Sequence, residues 1–124
     1  MPADSRGILI IDSTMINRKT IRGILEYYEF AVFEAVDARA GLETLNSHRK
    51  QIGLVLLDAA LPGVTPDKML AAVRSVGGEI PVAICTDDSV SEAKSKFTAV
   101  TGVLRKPIRT DRLLAVVRKA MGIE

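Results

Sequence analysis

Residues 52–63 read IGLVLLDAALPG, an almost continuous apolar run followed directly by Asp58 and by a loop that contains Pro62 and Gly63. A strand with one wet face would alternate apolar and polar residues, whereas an unbroken apolar run is typical of a strand buried on both faces. Such strands belong to parallel sheets that helices cover on both sides. Asp58 is followed by loop-like rather than helix-like sequence, so helix capping explains this acid poorly.

Four further apolar runs lie on either side of this stretch, at residues 7–11, 31–35, 81–85 and 102–104. Segments with helical spacing separate the runs. In the first of these segments, five apolar residues can share one stripe: Ile16, Ile21, Ile24, Leu25 and Tyr28. Strand–helix alternation with right-handed crossovers gives an open sheet covered on both faces. The sequence therefore predicts an α/β fold of the (βα)5 type, with a doubly wound, five-stranded parallel sheet.

Helix start and stop signals agree with this division of the chain. Thr65 precedes a proline at the first helical position, which is a common way for a helix to begin. Ser89 has Glu92 three residues later, and this spacing is that of a capping box. Gly122 follows the last periodic segment, where a glycine often ends a helix.

The composition bounds the class of protein. The 124 residues are 48% hydrophobic and 26% charged, so we expect a single domain over residues 1–124, ordered from about residue 6 to residue 122, with residues 1–5 loose. The 17 basic and 15 acidic residues are too balanced to favour direct binding of nucleic acid or of an anionic membrane. No apolar stretch approaches the ~20 residues of a membrane helix, and the first residues lack a secretory pattern, so we expect a cytoplasmic location.

Polar residues occur where four of the five runs end. Asp12 follows the first run, Asp58 the third and Thr86 the fourth, and Lys106 lies just past the fifth. The carboxyl ends of parallel strands meet at one edge of a sheet, and ligands of open α/β folds bind outside that edge. Taken alone, Asp12 is explained equally well as a helix cap and Lys106 as a surface lysine. The recurrence at successive strand ends instead predicts one site with two carboxylates, a hydroxyl and an ammonium group.

Four stretches of the chain match one known family in order and spacing: ILIIDSTMINRKTIRGILE at residues 8–26, LVLLDAALPG at 54–63, PVAICTD at 81–87 and VLRKPI at 103–108. They resemble the first strand and helix, the phosphorylation strand and loop, the fourth strand, and the lysine–proline turn of response-regulator receiver domains. The resemblance is to the chemotaxis-regulator type of two-component signalling and extends from about Ile8 to Met121. It implies a flavodoxin-like sheet with the strand order 2-1-3-4-5.

The resemblance implies a chemistry for these residues. Asp58 would accept a phosphoryl group from a histidine kinase or a small phosphodonor, and a carboxylate can be the nucleophile in such a transfer. Lys106 would neutralise one phosphoryl oxygen, and Thr86 would donate a hydrogen bond to another. Asp12, Asp58 and the backbone carbonyl of Ala60 would hold Mg²⁺. The protein would be a signalling module and not an enzyme, beyond autocatalytic transfer to its own Asp58.

The resemblance also implies partners. The phosphodonor would be a histidine kinase or a phosphotransfer protein, and the receiver would signal to a downstream protein or to an output domain of a longer chain. We expect a monomer or a weak dimer. Arg18 lies near the edge of the site on the first helix, where a contact with a partner is one interpretation and a solvated face is the one that we favour.

Three positions depart from the family pattern. Ser13 stands where the family has a second acid, and a hydroxyl is a weaker Mg²⁺ ligand than a carboxylate, so we expect a weakened metal site. Asp87 follows Thr86, the threonine that matches the family pattern. It would either repel a phosphoryl group or supply the negative charge that is missing at Ser13. We favour a third interpretation, in which Asp87 and Asp88 are the acidic residues that lead into the next helix. Val103 stands three residues before Lys106, where the family has an aromatic residue that couples to the threonine, so this coupling cannot operate in its usual form.

The segment between Thr86 and Lys106 is shorter than is usual in the family, so the fourth helix is expected to be short.

Two functions remain open from the sequence. If the chain is a phosphorylation-dependent receiver, we expect Mg²⁺-dependent modification of Asp58. The presence of Asp12, Thr86 and Lys106 beside Asp58 favours this function. A pseudo-receiver, which keeps the fold as a phosphorylation-independent interaction module, predicts no modification and no Mg²⁺-linked stabilisation, and Ser13 favours it. A third possibility, a flavodoxin-like domain for a flavin or another small phosphate ligand, is disfavoured by an aromatic content of 4% and by the lack of a phosphate-loop motif.

Overall fold

A computed structural model describes residues 7–97 and 99–123, in which five strands alternate with five helices. The strands are β1 (Gly7–Ile11), β2 (Val32–Ala35), β3 (Ile52–Asp58), β4 (Val82–Thr86) and β5 (Gly102–Arg105). The helices are α1 (Met15–Tyr27), α2 (Ala38–Ser47), α3 (Pro66–Gly77), α4 (Val90–Lys96) and α5 (Thr110–Met121). The single domain over residues 1–124 stays a prediction. Its expected loose start and the beginning of its ordered part, residues 1–6, lie outside the described residues.

The five strands form one parallel sheet in the order β2-β1-β3-β4-β5, which confirms the predicted doubly wound, flavodoxin-like (βα)5 fold. The bounds of every strand lie within one residue of the apolar run that predicted it. β1 and β4 are buried along their whole length, whereas the edge strands β2 and β5 are only partly buried. This difference accounts for the unbroken apolar sequences of the central strands.

Alternate residues of the central strands face opposite sides of the sheet and build two hydrophobic cores. Leu9 and Ile11 of β1 pack in one core with buried residues of α2, α3 and α4. Ile8 and Ile10 pack in the other core with buried residues of α1 and α5. Burying one such aliphatic side chain contributes about 1.5–3 kcal/mol. The two cores therefore hold the sheet firmly between helices, so that groups at the strand ends have defined positions.

The apolar stripe predicted for α1 is only partly buried. Ile21 and Leu25 are in the core, but Ile16 is 76% exposed and Tyr28 is 42% exposed. At 3.6 residues per turn, Ile16 lies about 140° around the helix from Ile21, so it faces away from the sheet. Tyr28 has the right direction but follows the last helical residue. The prediction of one five-residue stripe was wrong for these two positions.

The predicted helix ends are confirmed. The Thr65 hydroxyl accepts a hydrogen bond from the Lys68 amide at 3.3 Å, and Ser89 and Glu92 make both bonds of a capping box. Gly122 has a φ of 69°, a left-handed conformation that glycine adopts without strain. With seven residues, α4 is the shortest helix in the described part of the chain, as expected. None of the helices described is both long and apolar enough to span a membrane.

Candidate functional site

Three buried polar side chains mark the carboxyl edge of the sheet. Asp12, Asp58 and Thr86 are 3%, 5% and 5% exposed, and no other polar or charged residue is buried within residues 7–97 and 99–123. Asp12 follows β1, Asp58 ends β3 and Thr86 ends β4. Because burying a polar group costs free energy, their concentration at one edge indicates a site retained for its chemistry.

The strand register sets the order of these groups along the edge. β1 pairs with β3, and β3 pairs with β4 so that Asp58 is opposite Cys85. Thr86 is opposite Arg105 of β5, and Lys106 is the next residue in the chain. The structure therefore brings to one edge the four residues that the strand ends predicted, because four parallel strands finish at the same level.

Asp58 and Lys106 form an ion pair at the centre of the site. Lys106 Nζ donates to Asp58 Oδ1 at 2.8 Å, and the Ala60 amide donates to the same oxygen at 3.0 Å. The side chains of Asp58 and Lys106 are 4% and 16% exposed. The Lys106 amide also donates to the carbonyl of Thr86 at 2.7 Å, and the following Lys106–Pro107 peptide bond is cis. The lysine is thereby held to both β3 and β4.

The charge of Lys106 is maintained by the acids around it. Burial by itself lowers the pKa of Lys106, but the hydrogen bond and the charge of Asp58 raise it, and the charges of Asp12 and Asp87 raise it further. The net result is a raised pKa, so the ammonium group stays protonated at neutral pH. A fixed cation beside a carboxylate can stabilise negative charge that develops on a group bound there.

Asp12 does not cap α1, which was one explanation of this acid. Its Oδ1 accepts a hydrogen bond from the Thr14 amide at 2.8 Å and closes a tight turn. Thr14 is the N-cap residue, and its side chain makes no capping bond. The Asp12 amide donates to Ala35 of β2 at 3.1 Å, so the residue is fixed through both its backbone and its side chain.

The residues after Thr86 have separate contacts. The Asp88 amide donates to the Thr86 hydroxyl at 3.1 Å, and Asp88 Oδ2 accepts from Lys96 of α4 at 3.0 Å. Asp88 therefore leads into α4 and contacts its last turn. Asp87 is exposed, yet its charge acts on Lys106. Both acids line a cleft of about 560 Å³ that opens between α3 and α4, through which Thr86 is reached from solvent.

The donor groups at the edge fit a magnesium ion with few protein ligands. Mg²⁺ is commonly held by one or two carboxylates and keeps several waters. Asp12 and Asp58 each use Oδ1 in hydrogen bonds, and their Oδ2 atoms accept none from the described residues. Ser13 is exposed, and within the described residues no three His, Cys, Asp or Glu side chains are grouped to hold a metal. The Oδ2 atoms of Asp12 and Asp58 are therefore the carboxylate oxygens that remain to bind an ion.

Arg18 does not lie on the solvated face that we expected for it. Its side chain is only 14% exposed, because Nε contacts Glu34 Oε1 of β2 at 3.1 Å and Nη1 donates to the Asp12 carbonyl at 2.7 Å. The expected solvated face is absent at this residue. One signal was available: Glu34 is a charged residue inside a strand whose neighbours are apolar, and a strand acid of this kind needs a cationic partner.

Comparison with known proteins finds one family over most of the chain. Residues 8–118 match the family model described as the response regulator receiver domain. The response regulator MprA of Mycolicibacterium vanbaalenii is 31% identical over 113 residues, which cover 90% of this chain and 48% of MprA. The chain spans between 19% and 48% of the length of MprA and two relatives from Arabidopsis thaliana.

Solved receiver structures superpose closely on this fold. The chemotaxis response regulator CheY4 of Vibrio cholerae has a TM-score of 0.83 and 24% identity, with 94% of this chain and 98% of that chain covered. The receiver domain of NtrX from Brucella abortus has a TM-score of 0.82 and 26% identity, with coverages of 94% and 99%. The fold is therefore that of solved receiver domains.

Proposed function

We propose that this chain, which belongs to the response regulator receiver family, accepts a phosphoryl group on Asp58 and passes the resulting change to a protein partner or an output domain. Receivers are signalling modules that interact with histidine kinases or phosphotransfer proteins. The observation that carries the proposal is the 2.8 Å ion pair between Asp58 and Lys106 at an edge that also holds Asp12 and Thr86. We expect the module to act in the cytoplasm, as the sequence suggested.

The transfer uses the oxygen of Asp58 that the protein leaves available. Oδ1 accepts hydrogen bonds from Ala60 and Lys106, so Oδ2 is the nucleophile. It forms a bond to the phosphorus of a phosphohistidine or of acetyl phosphate. The phosphorus–nitrogen or phosphorus–oxygen bond to the donor breaks, and its electron pair leaves with the donor. The product is an acyl phosphate on Asp58, and the only group transferred is the phosphoryl group.

Lys106 and Thr86 stabilise the charge of the transferred group. The transition state of phosphoryl transfer spreads negative charge over three oxygens, so catalysis depends mainly on positioned cations and donors. Lys106 is already protonated and lies beside Asp58. The Thr86 oxygen accepts from the Asp88 amide, which leaves the hydroxyl hydrogen available to donate to a phosphoryl oxygen. Lys106 and Thr86 are therefore the two side-chain donors that we assign to the phosphoryl oxygens.

Asp12, Asp58 and the carbonyl of Ala60 are the groups that would hold Mg²⁺. When bound, the ion neutralises charge on the phosphoryl oxygens and on the two carboxylates. Ser13 supplies at most a weak ligand, so the affinity for Mg²⁺ is expected to be lower than with an acid at this position. The role of Asp12 is to keep one carboxylate oxygen directed at the site.

A pseudo-receiver is the second candidate function. Ser13 favours it, because the position that would carry a metal-binding acid has an exposed hydroxyl instead. In that case the fold would act as an interaction module in which Asp58 and Lys106 form a permanent ion pair. The two candidates differ in whether the edge of the sheet binds a phosphoryl analogue.

The deciding experiment uses the full chain with acetyl phosphate, and separately with beryllofluoride, each with and without Mg²⁺. We expect one phosphoryl adduct in the intact mass and shifts of NMR signals around Asp58, both requiring Mg²⁺. Asp58→Asn should abolish both signals. Glu79→Gln is the control, since Glu79 is an exposed acid between α3 and β4, at the opposite edge of the sheet from Asp58. No adduct and no beryllofluoride shift at saturating Mg²⁺ would establish the pseudo-receiver instead.

A further inference from the structure

We propose that Arg18 is a positioning residue, which fixes the peptide between Asp12 and Ser13 and so directs the Asp12 carboxylate into the phosphorylation site. The inference rests on the proposed function, because it assigns a role toward the metal that Asp12 and Asp58 would hold. Arg18 is six residues along the chain from Asp12 and lies on α1, outside the set of residues at the strand ends.

Two contacts in different directions hold the Arg18 guanidinium. Nη1 donates to the Asp12 carbonyl oxygen at 2.7 Å, and Nε contacts Glu34 Oε1 at 3.1 Å. The side chains of Arg18 and Glu34 are 14% and 13% exposed. Because a guanidinium group is planar and its donors are fixed relative to one another, anchoring one side fixes the other. Arg18 thus connects β2 to the turn that follows β1.

The Glu34 end of this connection is firmly charged. Glu34 also accepts from Lys19 at 3.0 Å and from Arg22 at 2.6 Å. Burial alone raises the pKa of Glu34, but the hydrogen bonds from Arg22, Lys19 and Arg18 outweigh it and bring the pKa to about 2. The anchor for Arg18 therefore keeps its charge across the physiological pH range.

The Asp12 end of the connection determines where its carboxylate points. The Asp12 amide is bonded to Ala35, its carbonyl to Arg18 and its Oδ1 to the Thr14 amide. With the backbone held on both sides and one carboxylate oxygen used, Oδ2 has a single direction. Groups that orient a metal ligand without touching the metal commonly change metal affinity by about 10- to 100-fold when they are removed.

Ser13 increases the dependence on this orientation. In a site with two acids after the first strand, one carboxylate could still bind the ion if the other were misplaced. Here Asp12 is the acid of that turn, and its neighbour is a hydroxyl. The whole contribution of β1 to a metal site therefore depends on one carboxylate, and Arg18 is the side chain that bonds to its peptide.

The test compares variants that remove different cations from the same carboxylate. Arg18→Met removes the contacts with Glu34 and with Asp12. Arg22→Met is the matched control, because Arg22 is also a guanidinium bonded to Glu34 but makes no contact with Asp12. Lys19→Met is a second control. We expect Mg²⁺ affinity, measured by NMR titration of the full chain, to fall about tenfold in Arg18→Met and to stay unchanged in both controls.

A second measurement does not depend on the metal. The Thr14 amide donates to Asp12 Oδ1, so loss of the Arg18 contact should speed exchange of this amide with solvent and shift its NMR signal. Exchange in α3, which packs against the opposite face of the sheet from α1, should not change. If the wild-type chain binds no Mg²⁺, the metal-dependent part of the proposed function is wrong. The exchange rate of the Thr14 amide then still tests whether Arg18 positions Asp12.

The outcomes are distinguishable. Equal loss of Mg²⁺ affinity in Arg18→Met and Arg22→Met would mean that Arg18 acts only through Glu34, and this would overturn the inference. Unchanged affinity together with unchanged Thr14 exchange in a folded Arg18→Met protein would also overturn it. If Arg18→Met does not fold, Arg18→Lys replaces it. Lysine keeps the charge but lacks the planar guanidinium group with its several fixed donors. Arg18→Lys should therefore show an intermediate loss of Mg²⁺ affinity, and wild-type affinity in that variant would refute a positioning role.

Discussion

The two halves of the site differ in how completely they are built. The phosphoryl half, named for the proposed function, consists of Asp58, Thr86 and Lys106 at the ends of β3, β4 and β5. All three side chains are largely buried, and Lys106 bonds to Asp58 through its ammonium group and to the Thr86 carbonyl through its amide. The metal half, named for the proposed Mg²⁺ site, consists of Asp12 and Ser13 after β1. Asp12 is as buried as Asp58, whereas Ser13 is exposed and neutral.

This difference indicates which property each half should chiefly affect. The phosphoryl half carries its own cation in Lys106, which pairs with Asp58 before a donor or Mg²⁺ is bound. Within the described residues, no cation bonds to the carboxylate of Asp12 in the metal half, although its charge acts on Lys106. Apart from Asp58, which would serve both halves, changes in the phosphoryl half should therefore affect mainly the rate of transfer, and changes in the metal half mainly the binding of Mg²⁺.

The largest effect is expected from Lys106→Met. Removing one charged donor from a site that stabilises developing negative charge lowers rates about 100-fold or more. We expect this loss in the rate of Asp58 phosphorylation by acetyl phosphate, followed by intact mass. Mg²⁺ affinity should stay the same or increase, because the variant removes a cation that lies 2.8 Å from Asp58.

Arg105→Met is the control for this variant. Arg105 is the exposed neighbour of Lys106 on β5, so its loss changes the net charge equally without touching Asp58. A parallel fall of rate and of Mg²⁺ affinity in Lys106→Met would contradict the division into two halves. It would show instead that the lysine holds Asp58 in place for both tasks.

The residues at the strand ends were the predictable part of the site, and they include Asp12 of the metal half as well as the whole phosphoryl half. Asp58, Thr86 and Lys106 each follow an apolar run, and the change from apolar to polar residues marks the end of a buried strand. The parallel direction of the strands then brings them together, so no knowledge of side-chain geometry is required. The same periodicity gave the sheet and the strand bounds to within one residue.

The surroundings of the metal half were less predictable for a physical reason. Arg18 was expected on a solvated face because it is charged, yet its contacts depend on Glu34, sixteen residues away on a neighbouring strand. Such a pairing depends on which strands are adjacent and on the direction of a helix relative to the sheet. The turn at Asp12 likewise depends on backbone angles that residue type does not determine.

The next effect concerns the support of the metal half and depends on pH. A carboxyl group whose pKa is lower in the folded state stabilises the fold above its unfolded pKa, and this contribution is lost as the pH falls. Glu34 has a pKa of about 2 against an ordinary value of 4.5. We expect Glu34→Gln to lower the free energy of unfolding by about 2 kcal/mol at pH 7, allowing for partial screening by solvent.

Urea unfolding along a pH series checks this expectation. The difference between wild type and Glu34→Gln should shrink as the pH falls from about 4.5 towards 2, because Glu34 then becomes protonated in both states. Glu43→Gln is the control, since Glu43 pairs with Arg39 while both side chains are more than half exposed. A difference for Glu34→Gln that stays constant with pH would mean that shape rather than charge stabilises the β2 anchor.

The smallest expected effect tests the comparison most directly, because it restores what the metal half lacks. Ser13→Asp places a carboxylate beside Asp12 and should tighten Mg²⁺ binding on the order of tenfold, a change comparable to the loss expected when a supporting group is removed. Ser89→Asp is a control that adds the same charge at the start of α4, away from the turn after β1. If Ser13→Asp tightens Mg²⁺ binding without changing the phosphorylation rate at saturating Mg²⁺, the two halves act independently. Unchanged affinity would mean that residue 13 does not face the ion, and the weakness assigned to the metal half would then lie in the placement of Asp12 by Arg18.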